Sequence, residues 1–361
     1  MHRVFNFSAG PATLADEVLK KAQLELINWN ETNLSMMEVS HRGPEFKEVA
    51  AKAEADLREL MNIPYNYHVL FLSGGASSQF AMVPINLLGD KGFADYVDTG
   101  IWSKKAIKEA KRFADVNIVT SLALKDGKYL IPNSDEWSVK DDAAYLHYTP
   151  NETIEGIEFN FVPQSKDVPL VADMSSSILS QNINVADYGI IYAGAQKNIS
   201  HAGVTIVIIR DDLVKPQNLQ MPSMLSYELQ VANNSFYNTP PVYAWYMAGL
   251  TFAWMKQQGG VDYFAKQNAI KAAKLYEVID NSKDFYVNNV HESCRSKMNV
   301  TFYLQDATLT EKFWQEADAN GLKNLRGHRT VGGIRASIYN AMPKEGVDKL
   351  CEFMQDFMRE N

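Results

Sequence analysis

"DYGIIYAGAQKNISHAGVTIVIIR", residues 187–210, decides how the rest of the chain is read. Two apolar runs, 189–193 and 204–209, have the length and β-branched content of buried strands. The ten residues between them are too many for a tight two-residue hairpin and are rich in Gly, Ala, Asn and Ser. Lys197 stands among them. A charged side chain between two buried strands has to be satisfied by something, and that need raises the question of its purpose.

Outward from this stretch, apolar runs alternate with helical patterns. "HVLFLS", "YVDT", "VNIVTS", "AAYLHYT" and "PLVAD" join "GIIYA" and "VTIVIIR" to make seven strand candidates, with "SSQFAMVPINLLG" and "WSKKAIKEAKRF" as helices between them. Continuous apolar strands separated by helices predict an α/β fold: a mostly parallel seven-stranded sheet covered on both faces. Upstream, Thr13 is expected to cap a helix through "LADEVLKKAQLELINW", with Asp16 and Glu17 suiting its dipole. A second helix is predicted over 46–61, where Val49, Ala53, Leu57 and Leu60 recur at helical spacing and Pro64 follows. Beyond a long helical region, 240–281, come "FYVNNV", "MNVTFYL", a helix near 309–320, "GIRASIY" and a last helix near 344–358. The expected organisation is a large domain over 14–258 and a smaller α+β domain over 259–361, joined by the N-terminal arm, 1–13. The boundary falls at "QQGGVD".

A chain of 361 residues, 46% hydrophobic, can bury a large core. Its formal charge of -8 argues against nucleic acid or an anionic membrane as partner, since both need clustered Lys and Arg. Small anions stay compatible, because a few local arginines override net charge. The two cysteines, Cys294 and Cys351, give neither a disulfide framework nor metal-ligand spacing, so no metal is expected and a reducing compartment is the simpler reading. No run of about 18 apolar residues occurs and "MHRVFNFSAGPATL" lacks a long apolar core, which places the expected location in the cytoplasm.

In an open α/β sheet ligands bind at the carboxyl ends of the strands. Three features fall there. "FLSGGASSQF" leads from a strand through Gly74 and Gly75 straight into a helix, offering free N–H groups and a positive dipole end to a phosphate; it lacks the lysine of a P-loop and the third glycine of a dinucleotide site. "PLVADMSSS" ends its strand on Asp173, placed to cap a helix or to oppose a cationic ring nitrogen. Lys197 ends the next strand. Phosphate cradle, carboxylate and amine are together the three contacts that pyridoxal phosphate requires. The lysine must be neutral to attack, and burial beside a cationic ring lowers its pKa in that direction.

At these residues the chain resembles a known family. "YAGAQKNISHAGVTIVIIR", "FLSGGASSQFAMVPINL", "TPNETIEG", "NTPPVYAWY" and "GHRTVGGIRASIYNAM" look like the phosphoserine aminotransferase family, fold type I pyridoxal phosphate enzymes, and the resemblance runs from "FNFSAGPATL" to the last strand. It implies that Lys197 binds the coenzyme covalently and then carries protons. Gln196 and the N–H groups of Ala76 and Ser77 would hold its phosphate, Trp102 would stack on its ring, Thr153 would bond the ring hydroxyl, and Asp173 would keep the ring nitrogen protonated. Asn238 and Thr239 would reach the coenzyme phosphate of a partner subunit, which implies a homodimer with shared sites.

His and Arg are adjacent three times, at His2-Arg3, His41-Arg42 and His328-Arg329. The first is read as a frayed end; the others lie in glycine-containing loops, where arginine's planar fork suits phosphate or carboxylate oxygens. The resemblance implies that His41, Arg42, His328 and Arg329 bind the distal anion of the substrate and Arg335 its α-carboxylate. Some family members carry arginine at the position of Ser77, whereas "GGASSQF" shares the Ala-Ser form of another branch. The implied reaction moves the amino group of L-glutamate to 3-phosphohydroxypyruvate, with a related phosphorylated 2-oxo acid of vitamin B6 synthesis as second substrate. Two other readings compete: a lyase on the same fold, using Cys294 as nucleophile, and a non-catalytic phosphate-binding protein using the Gly74-Gly75 turn.

Overall fold

The computed structural model describes residues 3–216 and 220–361; His2 lies outside them. Among the described residues, the seven apolar runs pair into one sheet in the order Tyr67–Leu72, Thr205–Arg210, Ile190–Gly194, Leu170–Asp173, Leu146–Tyr148, Phe93–Asp98, Asp115–Ser121. Thr205–Arg210 is antiparallel to both neighbours and all other pairings are parallel. The runs flanking Lys197 are therefore adjacent strands, in register from Ile190 opposite Ile209 to Gly194 opposite Thr205. Their connection closes with Ala195 N–H on the Val204 carbonyl at 3.1 Å, leaving Lys197 at the carboxyl end of the sheet.

These strands are apolar without alternation because both faces are covered. Val207, Ile209, Val171 and Tyr192 face Phe80, Val83 and Ile107 of helices Gly75–Leu87 and Ile101–Ala110. Ile206, Ile208, Ala172 and Ile191 face Phe46, Leu57, Trp245 and Phe252 of helices Pro44–Met61 and Val242–Gln257. Phe71 stacks on Trp245 with ring centroids 4.2 Å apart, a contact worth about 0.5–1.5 kcal/mol beyond its buried area.

The first helix departs from expectation. It runs Asp16–Leu24 with Ala15 at the N-cap and no side-chain cap, while Thr13 is buried. It also stops short of Trp29. Thr32 Oγ1 donates to the Trp29 carbonyl at 2.6 Å and Asn28 Oδ1 accepts from Asn33 N–H at 2.7 Å, and Asn30, Glu31 and Asn33 have positive φ. Side chain to backbone bonds of this kind compete with the helix and end it. The long helical region is two helices, Val242–Gln257 and Gly260–Asp280, parted at Gly259 with φ 108°.

Towards the C-terminus, Tyr286–Val287, Asn299–Leu304 and Ile334–Ser337 form an antiparallel sheet beside helices Thr310–Ala319 and Lys344–Glu360. Phe5–Asn6 pairs in parallel with Leu322–Lys323, so the N-terminal arm returns to this region and sets Phe7 in a cluster with Leu275, Val300, Phe302, Phe313 and Met354. No helix among the described residues is long and apolar enough to cross a membrane.

Candidate active site

The carboxyl ends of the parallel strands and the returning arm enclose a cavity of about 390 Å³. It is lined by Ala9, Gly10, Gly74, Ala76, Ser77, Trp102, Thr149, Thr153, Asp173, Gln196, Lys197, His328 and Arg335 among others. A larger groove of about 930 Å³ between the arm and the last helices contains none of the expected site residues.

At one end of the cavity, Gly74 takes φ 97° to turn the strand into helix Gly75–Leu87. A Cβ there would lie 2.0 Å from Ser78 Oγ, so no other residue fits this turn. Gly75 N–H is taken by Thr205 Oγ1 at 2.8 Å. The next N–H groups, of Ala76 and Ser77, have no carbonyl within the helix to bond and open onto the cavity with the positive end of the dipole.

Asp173 ends its strand buried. Its Oδ1 accepts from Ser175 N–H at 3.0 Å and from Ser175 Oγ at 2.6 Å, a local turn that fixes the carboxylate. Burial raises its pKa; the Ser175 hydrogen bonds and the Lys197 charge oppose that.

Lys197 is 8% exposed. Its Nζ donates to Thr153 Oγ1 at 2.7 Å and lies 5.4 Å from the Trp102 ring centroid. Burial pushes its pKa down to about 8, against the pull of Asp173 and Glu152, with Arg335 adding to the depression. About a tenth of such a group is neutral at pH 7, enough to act as a nucleophile.

Arg335, on strand Ile334–Ser337, reaches the cavity from the other lobe with Nη1 3.5 Å from the Thr153 carbonyl. Burial lowers its pKa, opposed by the charges of Tyr339 and Glu155, and among the described residues no carboxylate comes within ion-pair distance, so the guanidinium is left to an external anion. His328 lines the same wall, its ring held by Thr330 Oγ1. Its pKa is lowered by burial and by the charges of Arg335, Lys105 and Arg329.

The chain thus brings together Ala76, Ser77, Trp102, Thr153, Asp173, Gln196, Lys197, His328 and Arg335. It leaves His41, Arg42, Arg329, Asn238 and Thr239 outside the cavity, four of them exposed and His41 half-buried. Cys294 is buried away from the cavity, near the Tyr129 and His291 carbonyls, and burial raises its pKa, the reverse of what a lyase nucleophile needs. The sequence reading missed Glu152 and Glu155, both against the helix that carries Trp102. Their one signal was two acidic residues three apart inside "NETIEG", in a loop that follows a buried strand.

Residues 4–350 match the family model for aminotransferase class-V. The chain is 56% identical over 359 residues to phosphoserine aminotransferase of Acinetobacter baumannii, covering 99% of each. It superposes with a TM-score of 0.97 on a phosphoserine aminotransferase studied for radiation damage of its Schiff base, at 45% identity over all of both chains. On the pyridoxal phosphate-bound phosphoserine aminotransferase of Trichomonas vaginalis the TM-score is 0.92, at 41% identity over 98% of this chain and 100% of that one. The chain belongs to the class-V aminotransferases, pyridoxal phosphate-dependent transaminases of fold type I, and within them to the phosphoserine aminotransferase family.

The cavity fits that coenzyme on its own geometry. Trp102 Nε1 and Thr149 Oγ1 are buried there without partners, the helix-opening N–H groups suit a phosphate, and the buried amine and carboxylate stand on neighbouring strand ends.

Proposed function

We propose that the enzyme transfers the amino group of L-glutamate to 3-phosphohydroxypyruvate, giving O-phospho-L-serine and 2-oxoglutarate in serine biosynthesis. The observation that carries this is a buried, partly neutral Lys197 held in one cavity with Asp173 and an Arg335 that lacks a carboxylate partner. Pyridoxal phosphate, when bound, supplies the electron sink for the α-carbon bond that breaks. The chain does the rest. Ala76 and Ser77 N–H groups with Gln196 hold the phosphate, Trp102 covers the ring face, Thr153 bonds the ring hydroxyl, and Asp173 keeps a proton on the ring nitrogen. Lys197 Nζ anchors the coenzyme and then moves the α proton. Arg335 orients the substrate by its α-carboxylate, with His328 beside it.

The distal anion falls to His41, Arg42, His328 and Arg329. His41 and Arg42, like Asn238 and Thr239, stand clear of their own cavity, and the segment before His41 exposes Leu24, Ile27, Leu34 and Met37. Both features support a homodimer in which each chain completes its partner's site. The same anion contacts suit a related phosphorylated 2-oxo acid in pyridoxine biosynthesis. The two cysteines are free, in keeping with work in the cytoplasm. Residues 14–258 would act as the coenzyme-binding domain, with 1–13 and 259–361 as the smaller one that brings Arg335.

The test splits the substrate by its ends. Arg42→Ala and Arg329→Ala should raise KM for glutamate and phosphohydroxypyruvate by about 10- to 100-fold, the loss of a charge-assisted contact, and leave slow half-reactions with alanine unchanged. Arg335→Ala should impair all three. Equal losses with every substrate in every variant would overturn the assignment.

A further inference from the structure

Residues 151–155 hold the functional groups of the cavity together, and two acidic side chains in this segment have no part in the chemistry above. Thr153 accepts from Lys197 through its hydroxyl and from Arg335 through its carbonyl. Glu152 and Glu155 turn toward the start of helix Ile101–Ala110. Glu152 Oε2 accepts from Trp102 N–H at 3.0 Å and its Oε1 from Ser103 N–H at 2.8 Å; Glu155 Oε1 accepts from Ile101 N–H at 2.9 Å. Three of the four N–H groups that a helix start leaves open are thus taken by two carboxylates, where the dipole favours negative charge. The approach is close. A Cβ on Gly100 would lie 2.6 Å from both Glu152 Cδ and Glu155 Oε2, so glycine alone admits the pair.

The two carboxylates are used differently. Both oxygens of Glu152 are occupied by the turn that bears Trp102. Glu155 spends one oxygen on the helix; its Oε2 is buried without a partner, and the group lies in the field of Arg335 and Lys104. Burial raises the pKa of both, and the charge of Glu155 pushes Glu152 further, to about 8, while Lys104 and Arg335 hold Glu155 down.

We infer that Glu152 and Glu155 are positioning residues with separate roles: Glu152 sets the height of the Trp102 indole over the coenzyme site, and Glu155 moderates the pull of Arg335 on the substrate carboxylate. This rests on the coenzyme and substrate roles proposed above. An amide at 152 keeps one acceptor and turns an NH2 group against a backbone N–H, so the helix start shifts and the indole with it. An amide at 155 keeps the bond to Ile101 N–H through its oxygen and puts a neutral NH2 group where the unpartnered Oε2 stood, which removes the negative charge near Arg335. Anions should then bind Arg335 more tightly.

Glu152→Gln and Glu155→Gln holoenzymes are compared with the unaltered enzyme by coenzyme Kd from tryptophan fluorescence, by KM for glutamate at saturating coenzyme, and by Tm without coenzyme. Glu152→Gln should weaken coenzyme binding about tenfold or more, with KM within about twofold. Glu155→Gln should leave coenzyme Kd within about twofold and lower KM for glutamate about three- to tenfold. Two variants that change Tm alike while coenzyme Kd and KM keep their original values would overturn the inference, as would a rise in KM for Glu155→Gln. If Glu152→Gln does not fold, Glu155→Gln decides alone, and an unchanged KM sinks the proposal. An unaltered chain that neither binds the coenzyme nor reacts with glutamate would instead defeat the functional reading itself.

Discussion

Lys197 and Lys271 are buried to nearly the same degree, 8% and 2% exposed, in two parts of the molecule that use a lysine differently. Lys197 lies in the turn just past strand Ile190–Gly194 of the large sheet and has a single acceptor, Thr153 Oγ1, with the cavity in front of it. Lys271, in helix Gly260–Asp280, donates to the carbonyls of Ile338, Tyr339 and Met342 at 3.0, 2.8 and 3.0 Å. Burial pushes both amines down, Lys197 to about 8. The hydrogen bonds separate them. Three carbonyls need three N–H donors, and only the ammonium form has three, so Lys271 keeps its proton against the desolvation. Lys197 has one partner and can lose its proton without leaving an acceptor bare. Burial makes a lysine reactive only where its acceptors are few.

The two sites also meet. The turn that Lys271 holds carries Tyr339, whose hydroxyl donates to the Ala9 carbonyl at 2.9 Å, and Asn340, whose N–H donates to Asn198 Oδ1 at 3.0 Å, beside Lys197. A saturated lysine thus braces the wall against which the unsaturated one works.

The largest expected effect breaks the comparison if it is absent. Lys197→Ala should slow the glutamate half-reaction by about ten-thousandfold or more, roughly 5 kcal/mol, measured in single turnovers, and borohydride should no longer fix the coenzyme to the peptide around residue 197. A variant within tenfold of the original would remove Lys197 from the chemistry. Next, Lys271→Met keeps the stem packed and leaves three buried carbonyls without donors; urea unfolding should show a loss of about 3–5 kcal/mol. A loss under about 1 kcal/mol would mean that the carbonyls find water or other donors.

The smallest effect sharpens the contrast by running the other way. In the coenzyme-free protein Lys197→Met should gain about 1–3 kcal/mol at pH 7, a cost of function released. The sign follows from the two pKa values, about 8 folded against 10.5 unfolded. Between them the unfolded chain binds more protons, so the cost of burying Lys197 is full below pH 8 and fades as pH rises toward 10.5. Thermal melts of both proteins from pH 7 to 10 should therefore converge; a gap that widens with pH would contradict the depressed pKa.

Much of this was readable from local pattern. The seven apolar runs, the Gly74-Gly75 turn into a helix and the odd placing of Lys197 depend on residue period and turn chemistry within a few positions, and such signals survive in one dimension. Thr13 shows how they fail: a good cap by type is buried while the helix starts later, because the chain around it was set by packing. The acceptors of Lys271 lie 67 to 71 residues away, and Glu152 caps a helix start about 50 residues before it. Nothing near Lys271 in the sequence distinguishes it from a surface charge, and for Glu152 the one local signal is the second acid three residues on in "NETIEG". The amino-acid order by itself determined the seven strands of the large sheet and which of their ends bear a glycine turn, a carboxylate and a lysine. Only the tertiary structure decided which buried charges are satisfied and by how many partners, because hydrogen bonds across long separations are chosen by how the sheets and helices come together, not by the residues beside them.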